Sequence, residues 1–148
     1  MTSPTSSGEA DAPLLRLLTL VTQQMSQDLL NRQHLAGYDD SRSAHHAVFA
    51  HIPPEGIRLV DLAERAGVTK QAMSELVVDL ERLGYLRRRP DPADGRAKLI
   101  ELTERGWKIV NSALDAFASM EQELADRLGP TRLRQLRRTL LDMLEHRD

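Results

Sequence analysis

Two short helical stripes meet at a glycine in the middle of this chain, and directly after them the period of the sequence changes from helical to extended. Leu59, Leu62, Ala63 and Ala66 share one face of a helix over residues 59–66. Gly67 and Val68 form a turn. Thr69 caps a second helix whose apolar positions are Ala72, Met73, Leu76, Val77, Leu80 and Leu83, and Gly84 ends it in a left-handed conformation. Helices that cross closely need a small residue at the crossing, which Ala63 supplies. Their turn needs a residue that tolerates positive φ, which Gly67 supplies. Val68, Met73 and Leu76 are expected to lock the second helix onto the first. This is a helix-turn-helix pattern, although an ordinary helical hairpin inside a bundle satisfies it as well.

The next segment tips the balance. Residues 85–89 and 98–102 read as short strands, joined by Pro90-Asp91-Pro92-Ala93-Asp94-Gly95-Arg96, in which Asp94-Gly95 predicts a tight turn. From Arg82 to Lys98 there are six cations (Arg82, Arg87, Arg88, Arg89, Arg96 and Lys98) against two acids, Asp91 and Asp94. The whole chain of 148 residues carries 20 Lys plus Arg against 22 Asp plus Glu, a formal net charge of −2. A generally basic coat is therefore excluded, and a nucleic-acid partner has to be met by a local patch. A basic hairpin directly after a helix-turn-helix is a wing. Its cations neutralise phosphates and release counterions. An arginine on a thin loop also reaches into a minor groove, where negative potential is focused.

The flanks read as helical. Residues 1–12 are small, polar and aperiodic; they read as a disordered tail, without the basic residues of a signal or transit peptide. With Pro13 in its first turn, a helix carries Leu14, Leu17, Leu18, Val21, Met25 and Leu29 to about Gln33. Ser41 or Ser43 is expected to cap a second helix bearing Ala44, Ala47, Val48 and Ile52, ended by Pro53, Pro54 and Gly56. Beyond the hairpin, Thr103 opens a long helix with Trp107, Val110, Leu114, Phe117, Met120 or Glu121, Leu124 and Leu128 at steps of three and four. Gly129-Pro130 breaks it, and Thr131 starts a last helix with Leu133, Leu136, Leu140 and Met143 or Leu144 inward. The fold class is mainly α with a small two-stranded β-wing. Its parts are an N-terminal dimerisation helix and loop (residues 13–40), a winged helix-turn-helix lobe (residues 41–102) and C-terminal dimerisation helices (residues 103–148). The dimer expectation rests on the leucine-rich faces of the first, fifth and sixth helices, which one winged unit is too small to cover. There is no cysteine, which removes disulfides, thiolate metal sites and thiol redox chemistry. No apolar stretch approaches the roughly 18 residues of a membrane span, so no membrane partner and a cytoplasmic location are expected.

The helix-turn-helix is followed by Leu80-Glu81-Arg82-Leu83-Gly84-Tyr85-Leu86-Arg87-Arg88, by Asp94-Gly95-Arg96 and by Leu102-Thr103-Glu104-Arg105-Gly106. With this combination the chain resembles the MarR (multiple antibiotic resistance regulator) family of winged-helix transcription factors over about residues 13–146. The resemblance implies a bacterial or archaeal transcriptional regulator, more commonly a repressor, that is an obligate homodimer with intertwined terminal helices. It implies recognition helices in successive major grooves of a pseudo-palindromic double-stranded operator and wings in the flanking minor grooves. Thr69, Lys70, Gln71, Ser74 and Glu75 fall at the exposed start of the recognition helix, with Gln71 and Ser74 as candidates to read base edges and Thr69 and Lys70 to hold phosphates. Arg87, Arg88, Arg89 and Lys98 charge the wing; Arg96 matches the family's wing arginine and Asp94 the carboxylate that orients it. Glu75 departs from the pattern, since many relatives carry a cation near it. Accepting from a cytosine amino group and pairing with a neighbouring arginine both stay open for it.

Relatives often bind small aromatic or phenolic acids between the helical region and the winged lobe, which points to Met25, His45, Phe49 and Trp107 as candidate effector contacts, with core packing as their alternative. His34, His45, His46 and His51 invite a metal reading, but His45 and His46 are adjacent and point about 100° apart on a helix. A closed site needs three or four ligands, so no metal and no cofactor are expected, with a metal-responsive regulator kept as an alternative. No phosphate-binding glycine loop, nucleophile elbow or His-Glu-x-x-His stands in the sequence, so an enzyme is not expected. A winged module that binds a protein partner is the second class; modules of that kind tend to lose the wing cations that this chain keeps.

Overall fold

Residues 12–145 are described in a computed structural model; the tail expected over residues 1–12 lies, through residue 11, outside the described residues. Helix α1 spans Leu14–Leu35. Pro13 stands just before it as the N-cap, not inside its first turn, and its carbonyl accepts the Leu17 N–H at 3.2 Å. Helix α2 is short, Ser43–Phe49, and neither serine caps it. Arg42 is the N-cap, and its backbone N–H donates to Nδ1 of His45 at 3.1 Å. An imidazole thus does what glutamate does in a capping box. Ser41 is instead buried, and its hydroxyl has no hydrogen-bond partner among the described residues.

Helices α3 (Leu59–Ala66) and α4 (Lys70–Arg82) form the helix-turn-helix where the sequence places it. Gly67 has φ +67°, a left-handed value that only glycine takes without strain, and it lets Val68 N–H reach back to the Ala63 carbonyl at 3.1 Å. Thr69 Oγ1 accepts the Ala72 N–H at 3.1 Å, the expected cap. The inward stripe of α4 is Met73, Val77 and Leu80, each fully buried, packed with Leu62 and Ala63 of α3. Val68 is exposed and Ala72 lies on the outer face, so neither locks the two helices together. The stripe at steps of four and three leaves Ala72 about 100° away from it.

Strands β1 (Leu86–Asp91) and β2 (Asp94–Leu102) are longer than expected and pair antiparallel, with Leu86 opposite Leu102 and Pro90 opposite Lys98. The chain reverses at Pro92-Ala93, not at Asp94-Gly95. Proline presets φ at the first turn position, and Asp91 Oδ1 accepts the Ala93 N–H at 2.9 Å. Ile57, just before α3, bridges Ile100 of β2 through two main-chain hydrogen bonds, which ties the wing to the helix-turn-helix.

Thr103 Oγ1 accepts the Gly106 N–H at 3.1 Å and caps α5 (Glu104–Leu128). Helix α6 (Pro130–Glu145) begins at the proline, one residue before Thr131, as suits a residue with no N–H to lose at a first helical position. Nothing on α6 is buried: Leu136 is 44% exposed, Leu140 36%, Met143 45% and Leu144 67%, so the face expected to point inward has no core to enter within one chain. The main core belongs to the winged lobe. Outside it, Leu29 of α1 packs on Ala116 and Met120 of α5 as a small separate cluster, and Arg32, held by Asp28 of its own helix at 3.0 Å, reaches Glu123 of α5 at 2.8 Å.

Candidate nucleic-acid interface

The outer face of α4 starts at its capped N-terminus. Thr69, Lys70, Gln71 and Glu75 are exposed there, and Ser74 is half-buried. Because Met73, Val77 and Leu80 anchor the opposite face, these side chains are presented on a rigid helix. Across from Lys70, residues Arg88 and Lys98 of the wing and Arg58 before α3 line a recess of about 540 Å³ that runs between the helix-turn-helix and the hairpin. These four cations share the recess with one acid, Asp61, so its lining is positive on balance.

The wing charge is less free than its composition implies. Arg87 and Arg89 both grip Glu101 across the sheet, at 2.6 and 2.5 Å. Hydrogen bonds from Arg89 and then Arg87 hold the Glu101 carboxyl below its ordinary range. Arg88 pairs with Glu81 at 3.0 Å and Arg82 with Asp79 at 2.6 Å. Arg96 and Lys98 of β2, with Lys70 of α4, make no ion pair among the described residues. Asp94 Oδ1 accepts the backbone N–H of Arg96 at 3.1 Å and so shapes the arginine through the main chain instead of holding its guanidinium.

Several participants escape a reading of the sequence. Arg58 binds Asp91 through two nitrogens, the shorter bond at 2.7 Å, and steadies the turn end of the wing. The Ala93 N–H and then Arg58 depress the Asp91 carboxyl. Asp79, on α4, accepts from Arg82, His45 and Arg42, and these bonds hold it far below the usual carboxylate range. Tyr85 donates its hydroxyl to Asp40 and lies under the Arg105 guanidinium, 4.2 Å from the ring centre. Burial, then the Asp40 bond, pushes its phenol well above the ordinary value. No spacing signal in the sequence links His45 to Asp79, Arg58 to Asp91 or Tyr85 to Asp40, which lie 33 to 45 residues apart. The one local clue is that an isolated cation, Arg58, immediately precedes the helix-turn-helix.

The four candidate effector contacts do not come together. Phe49 lines an apolar recess of about 340 Å³ with Leu29, Ile109, Val110 and Phe117, closed on one side by Gln33 and His46, whose Oε1 and Nε2 lie 2.8 Å apart. Met25 lines a different, open groove between α1, α5 and α6. His45 is fully buried against Asp79, and Trp107 is a partly exposed residue of the first turns of α5 that borders neither space. The helix axes, which periodicity cannot orient, decide this. Among the described residues no three His, Asp or Glu side chains stand close enough to hold a metal, and no helix is long and apolar enough to cross a membrane.

Burial pushes the His45 imidazole below its ordinary value, against the pull of Asp79, and burial followed by the neighbouring His45 does the same to His46. The unfolded chain takes up these protons near pH 6.5, whereas the folded chain does so only at lower pH. Stability should therefore fall as pH drops below about 6.5, by at most ~1.4 kcal/mol per pH unit for each histidine. Urea midpoints at pH 7.5 and 5.5 test this; equal midpoints would mean that both imidazoles titrate as they do in the unfolded chain.

A helix-turn-helix with an antiparallel wing, set between long terminal helices, defines the winged-helix class. Residues 42–97 match the model of the MarR family. The chain is 38% identical over 74 residues to the transcriptional regulator HosA of Escherichia coli O111:H-, an alignment that covers 50% of this chain and 55% of HosA. The chain thus spans about half the length of the curated relatives it matches. The likeness to solved structures is longer. A Staphylococcus aureus MepR–DNA complex superposes with a TM-score of 0.70 at 28% identity, over 91% of this chain and 98% of MepR. Wild-type MarR of E. coli in its apo form gives 0.73 at 26%, over 90% and 97%.

Proposed function

We propose that the chain is a homodimeric, sequence-specific DNA-binding regulator of transcription, acting as a repressor in the bacterial cytoplasm. The observation that carries this reading is the exposed N-terminal half of α4, Lys70 included, set across an open basic recess from Lys98 of the wing. The solved likeness to MepR on DNA supports it. In this reading residues 41–102 bind the operator. Gln71 and Ser74 face base edges, Thr69 and Lys70 take phosphates, and Arg96 and Lys98 follow the wing to the minor groove. Arg87, Arg88 and Arg89 hold the wing in shape through Glu101 and Glu81 and add to the field around it. Residues 13–40 and 103–148 make the dimer, whose apolar material is the exposed face formed by Val21, Met25, Leu136, Leu140 and their neighbours.

Selection from random duplex DNA, followed by affinity measured against salt, tests the reading. A two-fold symmetric consensus is expected, with half-sites about 34–36 Å apart and a steep salt slope. No enrichment at low salt from a folded dimer would overturn it in favour of a winged module that binds protein. Arg96→Ala should lower operator affinity roughly 10- to 100-fold and leave the dimer intact; unchanged affinity would remove the wing from the interface. Gln71→Ala should cost about 1–3 kcal/mol of discrimination at one base pair and little on unrelated duplex. Equal losses on both would make Gln71 a residue that positions and does not read. Release of DNA by a small ligand is assigned to the recess at Phe49, His46 and Gln33. Its apolar walls and single polar pair suit an aromatic compound bearing one hydroxyl, and the ligand acts only if it prefers the released arrangement.

A further inference from the structure

Helix α2 is seven residues long and carries two adjacent histidines that face different neighbours. His46 faces α1, where its Nε2 meets Gln33 Oε1 at 2.8 Å on the wall of the recess. His45 faces α4. It is fully buried, its Nδ1 accepts the Arg42 N–H at 3.1 Å, and its Nε2–H donates to Asp79 Oδ2 at 2.8 Å. Both ring nitrogens are used, which settles the tautomer and leaves the imidazole one orientation. Asp79 lies on α4 beyond the residues that face outward at its start. Its remaining bonds go to Arg42, which immediately precedes α2, and to Arg82 of α4 itself. Among the described residues, His45 and Arg42 join the α2 segment to α4 by side-chain hydrogen bonds to Asp79, alongside apolar packing.

We propose that His45 is a positioning residue for DNA recognition: it sets the pitch of α4 against α2 through Asp79, and α2, as a rigid helix of about two turns, passes to α4 any displacement of His46 at the recess. The inference rests on the reading that α4 enters the operator. A helix this short rotates as a unit, so a change at His46 reorients His45 as well. The hydrogen bonds to Asp79 are charge-assisted and strongly directional, and they therefore carry that rotation to the recognition helix better than the surrounding apolar contacts do.

The test uses the full chain and its selected consensus duplex, with a scrambled duplex of equal length as reference. His45→Asn keeps an acceptor near the Nδ1 position and so keeps the cap, but it removes the donor to Asp79. His45→Gln keeps a donor near the Nε2 position. The preference for consensus over scrambled duplex should fall about tenfold in His45→Asn, with affinity for scrambled duplex unchanged, and should return most of the way in His45→Gln. His46→Leu should change that preference several-fold in the native background and leave it unaltered in the His45→Asn background, because the path has already been cut. Parallel losses on both duplexes, no loss at all, or multiplicative effects of the two substitutions would each overturn the proposal. If His45→Asn does not fold, Asp79→Ala removes the acceptor and breaks the same path from the other side, and the same outcomes apply. A native protein that does not prefer the consensus would instead overturn the parent reading, and the inference with it.

Discussion

Gly106→Ala is expected to destabilise the folded chain by about 3 kcal/mol, at the upper end of the range for overpacking, and to lower the thermal midpoint by on the order of 5–10 °C. Gly106 lies in the first turn of α5, where that helix rests on the main chain of Tyr85. A Cβ there would overlap the Tyr85 carbonyl oxygen and meet Leu102 Cδ2 at 3.0 Å and Cβ at 3.2 Å. The carbonyl cannot move aside cheaply, because it also accepts the Thr103 N–H at 3.0 Å, while Thr103 Oγ1 donates to the Gly84 carbonyl at 2.6 Å and accepts from Gly106 itself. Any shift that admits the methyl group opens this cap and loosens the junction between the wing lobe and the long helix. A thermal or urea melt of the variant checks the point; a midpoint within a degree of the native value would show that α5 can slide over Tyr85 without cost.

The second large effect concerns the helices that find no core of their own. Leu136 and Leu140 of α6 face outward in a single chain, beside an open groove lined by Val21, Met25, Met120, Leu124 and Leu128. Introducing glutamate at both positions places two charges where a partner chain is proposed to pack, and a buried unpaired charge costs far more than a lost methyl contact. Leu136→Glu with Leu140→Glu should convert the dimer to a monomer at micromolar concentration, as read by sedimentation. It should also lower operator affinity by about 10²- to 10⁴-fold, because the second half-site is no longer tethered. The winged lobe keeps its own core in this variant, so a cooperative melt should survive. A dimer of native affinity would place the interface elsewhere on the chain.

The two effects differ in how far they can be read from residues alone. A glycine three residues after a capping threonine is visible as Thr103-Glu104-Arg105-Gly106, but its need for a missing Cβ comes from a strand end that folds back beneath it. The leucine stripe of α6 is visible too, whereas its lack of any partner within the chain is not. In the same way, the six cations around the wing are countable in the sequence, yet four of them end on Asp79, Glu81 and Glu101.

Local rules carried the element order, because helical and extended periods, the glycine turn after α3 and the threonine caps of α4 and α5 each act within about four residues. The same rules placed the outward residues at the start of α4, since the buried stripe of a helix defines its opposite face. They misplaced the hairpin turn, where Pro92 and the Asp91 side chain outcompeted Asp94-Gly95, and they missed a histidine acting as the capping acceptor of α2. Tertiary structure alone decided which wing cations stay available, which side chains border the apolar recess, and that His45 and Asp79 meet. Those outcomes depend on how helices and strands distant in sequence are angled against one another. A periodic pattern reports which face of an element is apolar, but it holds no information about which neighbour that face will meet.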